Sequence, residues 1–309
     1  MLVLQNAKGV LGRPPLERPM EELLRYGIAV IDKPPGPSSH EVSAFTRKIL
    51  GLKVTGHTGT LDQNVSGVLV VLLENSRKIS GYAARADKKY VCLMKLGKVY
   101  GKEDVEAAFS NFRGEIYQRP PLQSAVAKKL RVRKIHSLEI LEIRGSLVLF
   151  ECFCEAGTYI RKLVYDAGEI LGTKAEMLEL RRTLAGAFSD KDSVSLQKLA
   201  DYYWAWKENG DEKYLRKAIL PIEAIHMKKV VITDAAAVKV KNGIRPKIGD
   251  VAQIEEGISE RDLIGIYTLK GELIAAGRAQ LAAHEVQAKK GGDGDALPVA
   301  AIERVIHEF

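Results

Sequence analysis

Cysteine is scarce: Cys92, Cys152 and Cys154 are the only three in a chain of 309 residues. They are too few and too poorly spaced for a disulfide framework or a four-ligand zinc site. All three fall in strand-like runs and read as small buried hydrophobes. No apolar run approaches the roughly 20 residues needed to span a bilayer. The stretch from Met1 to Glu22 lacks the charged-then-apolar pattern of a secretory signal, so a cytoplasmic protein is expected. A nucleotide-binding glycine loop and a metal-ligating cluster are also missing, so neither a metal nor a small-molecule cofactor is expected. Internal repeats are absent. What remains is an ordinary globular composition, 46% hydrophobic and 28% charged, long enough for one large domain and one small one.

The formal net charge of +8 favours an anionic partner, and its distribution says more than its size. From Met227 to Phe309 twelve basic residues balance twelve acidic ones, so the surplus lies upstream. There Lys128, Lys129, Arg131, Arg133 and Lys134 crowd together. Within the neutral tail, Lys239, Lys241, Arg245 and Lys247 still cluster around a glycine-containing turn. Both groups suit a phosphate backbone, and both are also compatible with a plain solvated face.

Residues 1–20 hold three prolines and no periodicity, and predict an irregular arm. Ile28 to Ile31 predicts a strand, halted by the rigid loop Asp32-Lys33-Pro34-Pro35-Gly36-Pro37. Ser38 with Glu41 matches a capping box, and Val42, Phe45 and Ile49 recur at helical spacing up to a stop at Gly51. A glycine-punctuated loop, Gly56-His57-Thr58-Gly59-Thr60-Leu61-Asp62, precedes an apolar strand from Val68 to Leu73. Further strands are predicted at Tyr90 to Leu96, Leu138 to Ile143 and Leu147 to Cys154. A helix after Gly157-Thr158 then carries Ile160, Leu163, Val164, Ala167, Ile170 and Leu171 as one apolar stripe. Beyond Pro221 and Ile222 a strand-rich module follows. It has a helix over Asp234 to Lys241, strands near Val251–Ile254, Leu263–Leu269 and Leu273–Arg278, and a hairpin turn at Lys270-Gly271. Ala288 to Leu297 reads as a mobile loop whose acidic spacing matches a calcium loop only incompletely. Without strict β-α-β alternation, the fold class is α+β with a mixed, largely antiparallel sheet.

Asp62 is the candidate with the most chemical reach. An aspartate in a glycine-rich loop can be a nucleophile, a metal ligand or a turn former, and spacing alone favours the turn. Metal binding lacks a second carboxylate at suitable spacing. Arg161 opens its helix away from the apolar stripe and so faces solvent or a cleft. Facing a carboxylate it would orient it; alone it is a surface salt bridge.

The motifs resolve these alternatives. Ile31 to Val42 resembles the opening motif of the TruB and dyskerin family of pseudouridine synthases. Gly56 to Asp62, with Ser66-Gly67-Val68-Leu69, is similar to that family's catalytic loop. Lys89-Tyr90-Val91 with Leu96-Gly97, Tyr117 to Val126, Gly157 to Arg161 and Leu180-Arg181-Arg182-Thr183 resemble four further blocks. Six blocks occur in family order over roughly 160 residues, and the proline-rich ones look closest to the archaeal and eukaryotic branch. One departure stands out: the family usually has proline after its catalytic aspartate, where this chain has Gln63, which would loosen the loop and slow the reaction.

The resemblance implies an RNA pseudouridine synthase with Asp62 as nucleophile and Tyr90 and Arg161 as its catalytic companions. It implies that Tyr90 stacks on the flipped uracil, that Tyr159 and Leu180 line the pocket, and that His57, Gly59 and Thr60 lie against the substrate. Lys33 and Pro34 would brace the loop. It further implies an arm over 1–20 packed on a β-rich PUA domain at 227–309, with the catalytic domain at 21–226. Lys239, Lys241, Arg245 and Lys247 would be the PUA domain's RNA contacts. The implied partners are guide RNA, rRNA and tRNA, with the H/ACA proteins: a small zinc-ribbon-type subunit, a Gar-type subunit and a kink-turn-binding ribosomal-type protein. A stand-alone enzyme acting on the tRNA T-loop is the alternative, and a catalytically weak RNA-binding scaffold is the alternative of another class. With no long lysine-rich tail, an archaeal source is expected.

Overall fold

A computed structural model describes residues 1–119 and 129–307. Pro120 to Val126 of one motif, and Lys128 of the basic cluster, lie outside the described residues. The chain builds two sheets. The larger contains β2 (Gly27–Lys33), β3 (Thr55–His57), β4 (Ser66–Leu73), β5 (Lys88–Leu96), β6 (Gly114–Gln118), β7 (Arg131–Arg144), β8 (Leu147–Cys154), β9 (Ala175–Ala185), β10 (Phe188–Ser189) and β11 (Ile219–Pro221). Its order is β11-β2-β4-β9-β5-β8-β7-β6, with β3 on β4 and β10 on β9. The smaller combines β1 (Leu2–Val3) with β12 (Lys228–Ile232), β13 (Val251–Ile254), β14 (Leu263–Tyr267), β15 (Leu273–Ala279) and β16 (Ala300–Val305), in the order β1-β13-β12-β14-β15-β16. The β4–β9 and β12–β14 pairs are parallel and the other pairs within these two orders antiparallel, as the mixed pattern predicts.

The predicted helix start is built as a reciprocal cap. The Glu41 amide donates to Ser38 Oγ at 3.2 Å and the Ser38 amide donates to Glu41 Oε2 at 2.8 Å, so two amides of the first turn are satisfied. The helix Ser39–Ile49 then runs to Gly51, which takes a left-handed φ of +63°. The apolar stripes are narrower than predicted. Phe45 is 46% exposed and Ile170 is 50% exposed, because each helix buries only the arc facing the sheet. The stripe of Ile160–Ile170 that does bury, through Ile160, Leu163, Val164 and Ala167, covers Cys92, Cys152 and Cys154. These cysteines are free and fully buried as expected, and burial pushes the Cys92 thiol up to about 12.

Two other expectations are corrected, and one strand was not foreseen. The arm is not wholly irregular: Leu2 and Val3 pair with β13 as the edge strand of the small sheet, with Leu2, Leu4 and Leu11 on its core. Ala288 to Leu297 is tied down, with Lys290 Nζ donating to the carbonyls of Ile248, Gly249 and Val251 at 2.9–3.1 Å. The central strand β9 was hidden by its charges at Glu176, Glu179, Arg181 and Arg182. The two sheets share one buried cluster in which Tyr26, Ile28, Val68 and Val70 meet Tyr267, Leu273, Ala276 and Ile306.

Candidate active site

The loop between β3 and β4 is held from below by the opening motif. Lys33 is fully buried at the end of β2, and its ammonium donates to the carbonyls of Pro34, Gln63 and Val65 at 2.9, 3.0 and 2.7 Å. Burial lowers the Lys33 pKa, the negative charge of Asp62 pulls it back up, and Arg182 pushes it down again. Ser39 Oγ donates to the Leu61 carbonyl at 3.0 Å and accepts from the Leu61 amide at 2.8 Å. The Gly36 amide donates to the Gln63 carbonyl at 2.9 Å. The chain on both sides of Asp62 is therefore fixed while its carboxylate stays open, 59% exposed.

Arg161 meets that carboxylate, with Nη2 2.6 Å from Asp62 Oδ2. An arginine in the first turn of Ile160–Ile170 opposes the helix dipole, and the Asp62 carboxylate at the same end offsets it. The helix entry is itself held: Gln118, 2% exposed, donates through Nε2 to the Tyr159 carbonyl at 3.2 Å and accepts the Tyr159 amide at 2.9 Å. Tyr159 is half-buried at this entry, and Thr60 and Pro34 are exposed on the loop side.

Arg182 forms the floor. Buried to 2% exposure, it donates from Nε to the Val68 carbonyl at 2.8 Å and from Nη2 to the Gly59 carbonyl at 3.3 Å. Its backbone pairs with Gly67, where a Cβ would stand 2.1 Å from the Arg182 carbonyl oxygen, so only glycine admits this approach. Tyr90 lies opposite Arg182 across β5 and β9. Burial raises its hydroxyl above the ordinary value, and the hydrogen-bonded Arg182 guanidinium partly opposes that rise. Leu180, two residues along, is half-buried and packs with Tyr90 against the core under Ile160–Ile170. His57 stands edge-on to His40 with ring centroids 4.9 Å apart, and its Nδ1 finds no partner among the described residues. Burial, then His40 and Arg182, lower its pKa, so the ring is neutral at physiological pH.

The structure brings the expected Asp62 and Arg161 together, and it adds residues that the sequence did not single out: Ser39, Gln118 and Arg182. All three sat inside the recognised motifs without a role, and their burial was the missing signal. The PUA-side candidates Lys239, Arg245 and Lys247 are exposed and Lys241 is half-buried, all on the small sheet's side of the molecule.

Comparison with known proteins decides the class. Residues 47–160 match the TruB family pseudouridylate synthase N-terminal domain, and 161–226 the tRNA pseudouridylate synthase B C-terminal domain. Residues 5–43 match the DKCLD domain and 228–298 the PUA domain. A protein of Archaeoglobus fulgidus named probable tRNA pseudouridine synthase B is 46% identical over 295 residues, 95% of this chain and 91% of its own length. The chain belongs to the TruB family of pseudouridylate synthases. Its namesake in Methanocaldococcus jannaschii is 48% identical to this synthase over 283 residues, 91% of this chain and 84% of that one. Among solved structures, a Cbf5-Nop10-Gar1 complex contains a chain 43% identical to it with a TM-score of 0.92, covering 99% of this chain and 93% of that one. An H/ACA RNP bound to a substrate RNA containing 2'-deoxyuridine gives 41% identity and a TM-score of 0.91, with coverage of 99% and 94%. The synthase is an isomerase of RNA uridine, with an α+β catalytic fold and a PUA domain. Among its described residues no helix is long and apolar enough to cross a membrane.

Proposed function

We propose that the synthase uses the Asp62 carboxylate as nucleophile, with the 2.6 Å Arg161–Asp62 pair as the observation that carries the assignment. A carboxylate can divide the exchange of the N-glycosidic bond for a C5 bond into two easier steps. Arg161 aims it, and the Lys33 and Ser39 bonds keep the loop from recoiling. Tyr90, set beside the buried Arg182, stacks on the flipped base; flipping costs on the order of a few kcal/mol. Tyr159 and Leu180 wall the pocket, and Gly59, Thr60 and the orphan Nδ1 of His57 face the RNA. Residues 21–226 act as the catalytic domain and 227–309 as the PUA domain, with Lys239, Lys241, Arg245 and Lys247 on the RNA backbone and 1–20 as the arm packed on the PUA domain.

In this reading the synthase works in the cytoplasm of an archaeon, as the catalytic subunit of an H/ACA ribonucleoprotein. A guide RNA selects uridines in rRNA or tRNA, and the partners are a Nop10-like zinc-ribbon subunit, a Gar1-like subunit and a kink-turn-binding protein. The likeness across 99% of the chain to subunits solved in such complexes supports it. The relatives' names favour a second reading, unguided action on tRNA. Tritium release from RNA labelled at uracil C5 separates them. Release from a tRNA transcript by the synthase alone supports the second; release only with guide RNA and partner proteins supports the first. Intact RNA binding with no release in either format would overturn both and leave a scaffold.

A further inference from the structure

A cavity of about 440 Å³ lies where the catalytic sheet meets the small sheet, away from the Asp62–Arg161 pair in its lining. Arg77, Lys78 and Arg85 line it from the segment linking β4 to β5, and Arg278 and Arg304 from β15 and β16. Lys78 has a partner of its own, and against the four arginines the lining sets one anion, Glu303. Its carboxylate is already engaged, accepting from Tyr82 Oη at 2.5 Å and from Arg278 Nε at 2.8 Å. Among the described residues, the guanidiniums of Arg77 and Arg85 pair with no carboxylate, and Arg304 donates to the Glu303 carbonyl alone. Gathering like charges from two sheets costs energy that Glu303 offsets only in part, and an anion in the cavity would supply the rest. The Arg77 side chain also lies 3.3 Å from where a Gly56 Cβ would be, on the strand that leads into the catalytic loop.

We propose that this junction cavity is a phosphate-binding site that grips the RNA backbone and spans both sheets, separate from the Lys239–Lys247 cluster. The inference rests on the RNA-modifying reading above. Arginine suits the role because its planar fork meets two phosphate oxygens at once. With RNA seated, one strand bridges the catalytic and PUA sheets and ties their relative placement to the substrate.

The test is RNA binding by the full chain across a salt series, using the RNA format that supports turnover by the wild type. Arg85→Ala with Arg304→Ala should weaken binding on the order of tenfold or more at moderate salt and flatten the log–log salt slope by about two. Arg85→Lys with Arg304→Lys, which keeps the charge, should restore most of the slope. Circular dichroism melts of both variants guard against misfolding, and both altered positions are exposed. An unchanged Kd and slope in the folded alanine variant, with the wild type active, would overturn the site and leave an acidic protein segment as its ligand. A wild type that releases no tritium at all would instead sink the underlying reading.

Discussion

Asp62 and Arg161 are 59% and 47% exposed, and yet neither is free to wander, since each is delivered by a clamped backbone. Arg161→Lys keeps the positive charge and loses the planar fork. It should lower the single-turnover rate by roughly 10- to 100-fold with RNA affinity unchanged. An unaltered rate would show that the fork does not aim the carboxylate. His57 gives a pH signature. Its pKa is lowered in the folded state, so as pH falls through about 6.5 the unfolded chain takes a proton first and unfolding is favoured. The stability it contributes is complete above that value and is lost as pH falls toward the lower folded value. The wild-type Tm should therefore drop more between about pH 7 and pH 5 than that of His57→Gln. Equal drops would mean that His57 does not carry the effect. The motif made these residues legible. Arg182 was not, since an arginine in a polar-looking stretch reads as surface until the carbonyls of Val68 and Gly59 are seen to face it.

At the scale of elements, the capping box, the proline loop and the strands on either side of the β7–β8 turn were legible because each is fixed by residues close in sequence. β9 was not: its charged residues mask a strand that lies between β4 and β5, and only the long-range pairing defines it. At the Gln63 departure the structure holds the backbone carbonyl, a group that proline would also carry, through Lys33 Nζ and the Gly36 amide. The brace therefore centres on Lys33. Lys33→Met should destabilise the fold by about 2–3 kcal/mol, since it takes a buried charged donor away from three carbonyls, that of Val65 in a fully buried bond. Urea unfolding measures this, and tritium release should fall with it even where the protein remains folded. A stable and fully active variant would show that the loop holds without the brace.

Across the whole molecule, the two sheets are fastened by a residue from the segment that runs from β1 of the small sheet to β2 of the large one. Arg18 is fully buried, with Nη1 and Nη2 at 2.8 and 2.9 Å from the two Glu223 oxygens and contacts of 3.2 and 3.5 Å to Glu22 and Glu272. Burial pushes its pKa down, and the carboxylates of Glu223, Glu272 and Glu22 more than offset this. No sequence pattern could reveal the cluster, because its members lie up to 254 positions apart. Arg18→Leu takes the guanidinium from three carboxylates, of which Glu22 keeps Arg13 at 3.6 Å, and should cost about 3–5 kcal/mol. The predicted result in urea is two separated transitions, one per sheet; a single transition at the wild-type midpoint would remove Arg18 from this role.

The central claim is that the Asp62 carboxylate is the nucleophile. Tritium release from C5-labelled RNA by wild type and by Asp62→Asn, with RNA Kd measured beside it, tests that claim most directly. The account predicts a loss of at least roughly 1,000-fold in rate with the Kd nearly unchanged. Turnover by Asp62→Asn within a few fold of wild type would contradict it.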